Sequence, residues 1–227
     1  MEIKNHKLQG AISHPSPNHS GEIVPTVIIM HYTADTSATG AISWLSNSAA
    51  RASAHLVIDR DGKVTQLVPF NLKAWHAGSS SFRGRSGVNS FSVGIELVNG
   101  GKLSAIDDDY QVTWSKRYVP RDQVGFHDGV PWHDYTEEQL ESALHICRAL
   151  VAAYPTIIDM TGHEDIAPGR KIDPGPLFPM ASFRMKLFED RGSDEPLPVE
   201  TKIDIPSIKL ALIRIEKEVN IIYGKLT

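Results

Sequence analysis

The stretch Thr161-Gly-His-Glu-Asp-Ile-Ala-Pro-Gly-Arg-Lys-Ile-Asp-Pro-Gly-Pro176 places an imidazole (His163), an ammonium (Lys171) and a carboxylate (Asp173) on one loop. Pro168, Pro174 and Pro176 each fix their own φ and restrict the residue before them, so such a loop holds its polar groups nearly still. Just upstream, Thr156-Ile-Ile-Asp-Met160 reads as a short strand that delivers the chain to His163. Open α/β sheets collect their chemistry at strand ends, and a stiff polar loop placed there points to that class of fold.

Working outward, Ile23-Val-Pro-Thr-Val-Ile-Ile-Met30 is a β-branched run expected to form a strand buried on both faces, with His31 at its C-terminal end. His31 is then either a satisfied core histidine or a site residue. Residues 38–51 read as a helix with Ile42 and Leu45 facing the core. Asp61-Gly62 between two apolar runs signals a β-hairpin, and His55 and His76 bracket it. Either histidine could line a pocket, and His55, inside a strand, could equally be packed core. Phe91–Val98 is a further strand that carries Glu96 in its apolar half. A carboxylate there needs a partner or a raised pKa, unless it faces solvent.

Thr136-Glu-Glu-Gln139 matches a capping box opening a helix with Leu140, Ala143, Leu144, Cys147, Leu150 and Val151 on one stripe. Cys147 therefore reads as core, not nucleophile. Strands alternating with helices predict an α/β fold: one mixed β-sheet flanked by helices, with a C-terminal helical extension. Residues 1–21 read as an irregular arm whose His6, His14 and His19 are solvated. Residues 99–134 read as a long aromatic loop, a wall or lid carrying Tyr110, Trp114, Trp132, His127 and His133. After residue 190 come a Pro-containing linker and a heptad pattern (Ile205, Ile208, Leu212, Ile215, Val219, Ile222, Leu226). It suits either a homo-oligomeric coiled coil through residues 203–226 or a helix lying on the domain.

Composition narrows the partners. A formal net charge of −4 with no Lys/Arg cluster gives no footprint for nucleic acid, and no apolar run is long enough to span a bilayer. A single cysteine excludes an internal disulfide framework and a cysteine-rich zinc site. The polar start lacks the apolar core of a secretory signal, so the expected address is the cytoplasm. A lytic protein released through a pore would share that feature.

The residues alone suggest one chemistry. His31 and His163 each follow a strand and Asp173 lies ten residues beyond the second. Two imidazoles and a carboxylate form the ligand set of a catalytic zinc with an open position. Glu96 fits a general base, and Lys171 fits a cation that stabilises an oxyanion.

Five segments in order then carry a resemblance. They are Val27-Ile-Ile-Met-His-Tyr-Thr-Ala, Ser53-Ala-His-Leu-Val-Ile-Asp-Arg-Asp-Gly, Ala74-Trp-His-Ala-Gly, Asn89-Ser-Phe-Ser-Val-Gly-Ile-Glu-Leu and Gly162–Pro176. Together they resemble the zinc-dependent N-acetylmuramoyl-L-alanine amidases, in the AmpD-like branch of the amidase-2 family, related to phage T7 lysozyme and the peptidoglycan-recognition proteins. The resemblance runs from about residue 22 to 185 and implies a zinc amidase domain over 22–190. It implies His31, His163 and Asp173 as Zn2+ ligands, Glu96 as the catalytic carboxylate and Lys171 as the oxyanion lysine. His55, His76, Asn89 and Trp132 would contact substrate. The implied reaction is hydrolysis of the amide between N-acetylmuramic acid, or its anhydro form, and L-alanine of the stem peptide. The partner is then peptidoglycan or a muropeptide, and the roles implied are cell-wall degradation or muropeptide recycling. The T7-type branch has a tyrosine just before the second-motif histidine, where this chain has Ala54. Two other classes share some features: a non-catalytic peptidoglycan-binding module on the same scaffold, and an iron oxygenase with a two-His-one-carboxylate triad.

Overall fold

The structure is a computed structural model and describes residues 1–106 and 109–188. The chain divides into two units, Met1–Asp190 and Arg191–Thr227. The linker and the heptad pattern over 203–226 lie outside the described residues.

The buried run after Pro25 forms the strand Val27–Tyr32. It pairs in parallel with Ser92–Leu97 on one side and with Asp159–Gly162 on the other. Ser92–Leu97 is also parallel to Leu56–Ile58, which turns through Gly62 into antiparallel Val64–Gln66. Ile12–Ser13 adds a parallel edge, giving a mixed sheet of six strands among the described residues. The hairpin forms as its Asp-Gly turn demands: Gly62 has φ +77°, and its amide donates to Asp59 O at 3.0 Å.

Strand residues alternate between faces, and this alternation separates core from site. Ile28, Met30, Val93, Ile95 and Leu97 face one way, into a core with Ala143, Ile146, Cys147, Leu150 and Val151. Those five lie on the helix α2, after the helix α1 (Ala38–Leu45); α2 spans Glu137–Ala153. Full burial of side chains such as Ile28, Ile95 or Leu150 contributes about 1.5–3 kcal/mol each. Thr136 accepts from the Gln139 amide and Gln139 reaches back to the Thr136 amide, so the expected capping box is present. Gln139 is itself buried, and its side-chain amide donates to Ile58 O and Val98 O. The opposite face carries His31, Gly94 and Glu96, flanked by Val27, Ile29, Ala77, Val88, Phe91 and Ile166.

Several expectations change in detail. Residues 1–21 are not irregular. Ile3–Lys4 pairs with Lys7–Leu8, Ile12–Ser13 joins the central sheet, and His19–Glu22 pairs with Leu72–Ala74. Leu8 is buried in the main core, with its amide held by Gln66 Oε1 at 2.8 Å. Two-residue strands are too short to show alternation, which is why the sequence hid them. His6, His14 and His19 are exposed, as expected. The helix expected over 38–51 stops at Leu45, and a 3-10 turn, Ser48–Ala50, follows with Asn47 as its cap.

The aromatic segment is not a loop either. Leu103–Ile106, Asp109–Val112 and Tyr118–Val119 form an antiparallel sheet, and Val124–His127 with Val130–His133 forms a hairpin. Leu103, Val112 and Val119 give the segment a small core of its own. Its turn-forming residues mark the short connections between strands.

Candidate metal centre and groove

The 161–176 stretch begins on the strand Asp159–Gly162 and enters the one-turn helix α3, His163–Ile166. Asp165 Oδ2 accepts from the Gly162 amide at 3.0 Å and so fixes that turn. A Cβ at Gly162 would lie 2.8 Å from Pro174 Cδ, so only glycine lets the two ends of the loop pass. The Glu164 amide donates to Asp173 O at 2.9 Å and draws the far end back to the start. Asp173 thereby reaches His163, and both meet His31 from the neighbouring strand.

His31 Nδ1, His163 Nδ1 and Asp173 Oδ2 form a triangle with edges of 2.9, 3.0 and 2.9 Å. All three residues are buried. His163 Nε2 donates to the carbonyl Ala77 O at 3.3 Å, which puts the ring proton there and leaves Nδ1 bare. Burial pushes the His31 imidazole down to about 4, against the pull of Asp173, so the ring stays neutral. Burial works against the charge on Asp173, but the His163 and His31 rings hold its carboxyl below the usual range. Two imidazoles with a carboxylate, converging within reach of one another, are compatible with a metal site.

Glu96 is the register partner of His31, so its side chain leaves the same face of the sheet. Its Oε2 is buried with no hydrogen-bond partner. Burial raises its pKa well above the ordinary carboxyl value; Asp173 adds to this and Lys171 opposes it. Lys171 is exposed, and with Glu96, His163 and Asp173 it lines a groove of about 720 Å³. Trp44, Trp75 and Trp114 also line it, and Trp114 is 85% exposed.

The four residues expected at the substrate separate. His76 lines the groove, where its Nδ1 meets His31 Nε2 at 2.9 Å. His55 is fully buried: its Nδ1 accepts from the Gly94 amide at 3.0 Å and its Nε2 donates to Leu72 O at 2.9 Å. Both ring nitrogens are engaged by backbone, which is the packed-core alternative. Asn89 is turned inward as well, its Oδ1 accepting from the amides of His76 and Ala77. It shapes the segment that carries His76. Trp132 packs its ring against Gly175, close enough that a Cβ there would meet it at 2.7 Å. His55, Asn89 and Trp132 are not among the groove-lining residues. His133, expected on a wall or the surface, is buried with Nδ1 accepting from the Gly100 amide. His127 is exposed. Cys147 is buried in the core, its thiol pushed up to about 12 by burial.

Sequence reasoning passed over Arg170 and Ser92. Arg170 Nη2 donates to Ala77 O and Ser79 O, both at 2.7 Å, clamping the segment that holds His163 Nε2. Its adjacency to Lys171 was the available signal. Ser92 Oγ meets His76 Nε2 at 3.1 Å, and a serine inside a strand carries no signal of such a role.

The family model described as N-acetylmuramoyl-L-alanine amidase matches residues 21–176. The chain is 34% identical over 211 residues to the 1,6-anhydro-N-acetylmuramyl-L-alanine amidase AmpD of Escherichia coli, spanning 84% of this chain and 99% of that relative. The E. coli amidase AmiD, in complex with anhydro-N-acetylmuramic acid-L-Ala-D-gamma-Glu-L-Lys, superposes with a TM-score of 0.56 at 27% identity. That match covers 80% of this chain and 61% of AmiD. AmpDh3 of Pseudomonas aeruginosa with anhydromuramic pentapeptide gives a TM-score of 0.55 at 25% identity, over 80% and 66% of the two chains. With the family model covering more than half of its length, this chain belongs to the N-acetylmuramoyl-L-alanine amidase family.

Proposed function

We propose that the protein hydrolyses the amide between anhydro-N-acetylmuramic acid and L-alanine of a stem peptide, using zinc held by His31, His163 and Asp173. The observation that carries the reading is the bare-nitrogen triangle beside a buried carboxyl oxygen, Glu96 Oε2, that has no partner. The chemistry a zinc ion supplies between these donors is acidification of a water and polarisation of a carbonyl.

The chain's own residues supply the rest. Glu96 accepts the proton of the attacking water and carries it to the departing amine of L-alanine. A buried carboxylate with a raised pKa is a better proton carrier near neutrality than an ordinary one. Lys171, on the groove lining, stabilises the negative charge that develops on the amide oxygen. Trp44 and Trp114 offer broad apolar faces to a sugar ring. A non-catalytic binding module would leave the unpartnered Glu96 and the triangle without work.

The likeness to an amidase of 1,6-anhydro-N-acetylmuramyl-L-alanine and to AmiD bound to an anhydro-N-acetylmuramic acid peptide favours an anhydro-muropeptide over polymeric cell wall, and a recycling role in the cytoplasm is the role that fits such a substrate. Among the described residues no helix is long and apolar enough to cross a membrane. Purified protein offered intact sacculi and soluble anhydro-muropeptide separately, with products identified by mass, tests the substrate choice. Release of peptide from the soluble substrate at the higher kcat/KM supports it, and a preference for sacculi contradicts it.

A further inference from the structure

Behind His31 lies a chain of hydrogen bonds that the proposed reaction does not use. Ser92 Oγ sits 2.7 Å from the carbonyl Val88 O, which can only accept, so the hydroxyl proton points there. The Ser92 oxygen is then an acceptor for His76 Nε2 at 3.1 Å, which places the single proton of a neutral His76 ring on Nε2. His76 Nδ1 is left as an acceptor, 2.9 Å from His31 Nε2. His31 must therefore carry its proton on Nε2, and its Nδ1 is the bare nitrogen of the triangle.

The His76 ring is also held in place. A Cβ at Gly94 would lie 2.4 Å from His76 Cγ, so the ring rests on a glycine that no other residue can replace without displacing it. The His55 ring packs edge-on nearby, with centroids 5.9 Å apart, and Asn89 fixes the backbone amide of His76.

We propose that His76 is a positioning residue which, through Ser92, sets the tautomer and orientation of His31 and so presents Nδ1 as a metal donor. The proposal rests on the reading of His31 as a ligand and assigns His76 to the support of the site, not to the substrate. Groups that orient ligating histidines typically contribute 10–100-fold to metal affinity, here expected as roughly that loss on removal.

The test is zinc affinity by chelator competition in the wild type, His76→Leu and His76→Asn. Leucine fills similar space without an acceptor. Asparagine carries an amide oxygen near the position of Nδ1. His76→Leu should weaken zinc by about 10–100-fold, and His76→Asn should recover most of that loss. Long-range proton–nitrogen NMR of the wild-type zinc form should find protons on Nε2 of both His31 and His76, and it needs no variant to fold. Wild-type affinity in His76→Leu, equal weakening in both variants, or a proton on His76 Nδ1 overturns the proposal. A wild type that takes up no zinc, or takes it up without His31, refutes the metal reading instead.

Discussion

Glu96 and His31 are register partners on adjacent parallel strands, so the proposed proton carrier and one donor of the metal triangle leave the same face of the sheet side by side. Two sequence-distant residues are thus fixed by backbone pairing alone, with no loop between them to adjust. Glu96→Gln keeps the shape of the side chain and removes its proton-accepting capacity. Zinc content should stay at one ion per chain, while turnover falls by roughly 10²–10⁴. Metal analysis beside a rate assay checks this, and a near-wild-type rate would remove Glu96 from the chemistry.

Lys171→Ala should also retain metal and lower kcat by roughly 10²–10³, in keeping with loss of one oxyanion-stabilising group. His163→Ala or Asp173→Ala opens the triangle itself and should abolish both zinc content and cleavage. A Lys171 variant that loses metal would place the lysine in ligand support instead.

Trp114 lines the groove at 85% exposure and belongs to the segment with its own small core. Trp114→Ala should raise KM for an anhydro-muropeptide by roughly two- to tenfold with little change in kcat, the loss of about one aromatic stacking contact. An unchanged KM would show that the sugar does not reach this wall.

His55 gives a pH dependence with a definite sign. Burial holds its pKa at about 4 against an ordinary 6.5, so the folded state keeps it neutral where the unfolded chain is already protonated. The unfolded state then binds more protons between those values, and stability falls as pH drops from about 6.5 to about 4. The contribution lost is about 3 kcal/mol at most. Urea unfolding of metal-free protein at pH 7 and pH 5 should show a smaller pH effect in His55→Gln than in the wild type. Equal pH effects would contradict the assignment.

Gln139 ties the helix α2 to two strand carbonyls, Val98 O at 2.9 Å and Ile58 O at 3.3 Å. Gln139→Leu removes the side-chain donor from buried Val98 O, while Ile58 O keeps the Val98 amide at 2.9 Å, and should destabilise the protein by about 1–3 kcal/mol. For a unit of this size each 1 kcal/mol lowers Tm by roughly 2–4 °C, which a thermal melt resolves. An unchanged Tm would show that Val98 O finds another partner.

The sequence made the site more legible than its surroundings. The β-branched run ending at His31, the Asp61-Gly62 turn and the Thr136 capping box are local signals, and each formed as its chemistry requires. The triangle was readable because the loop's prolines and the strand ends announce it. What failed to show were features set by pairing between short strands: two-residue strands in 1–21, and small sheets in 101–134 built of strands of four residues or fewer. His55, Asn89 and His133 failed for a different reason. A polar side chain that satisfies buried backbone amides has the same sequence context as one that meets a ligand, and only the partners distinguish them.

The central claim is metal-dependent cleavage of one bond, and mass analysis of the products from a soluble anhydro-muropeptide tests it most directly. With zinc, the products should be anhydro-N-acetylmuramic acid and a free peptide beginning with L-alanine. A chelator should stop the reaction and added zinc restore it. Intact substrate in the presence of zinc, cleavage at another bond, or cleavage indifferent to the chelator would contradict the account.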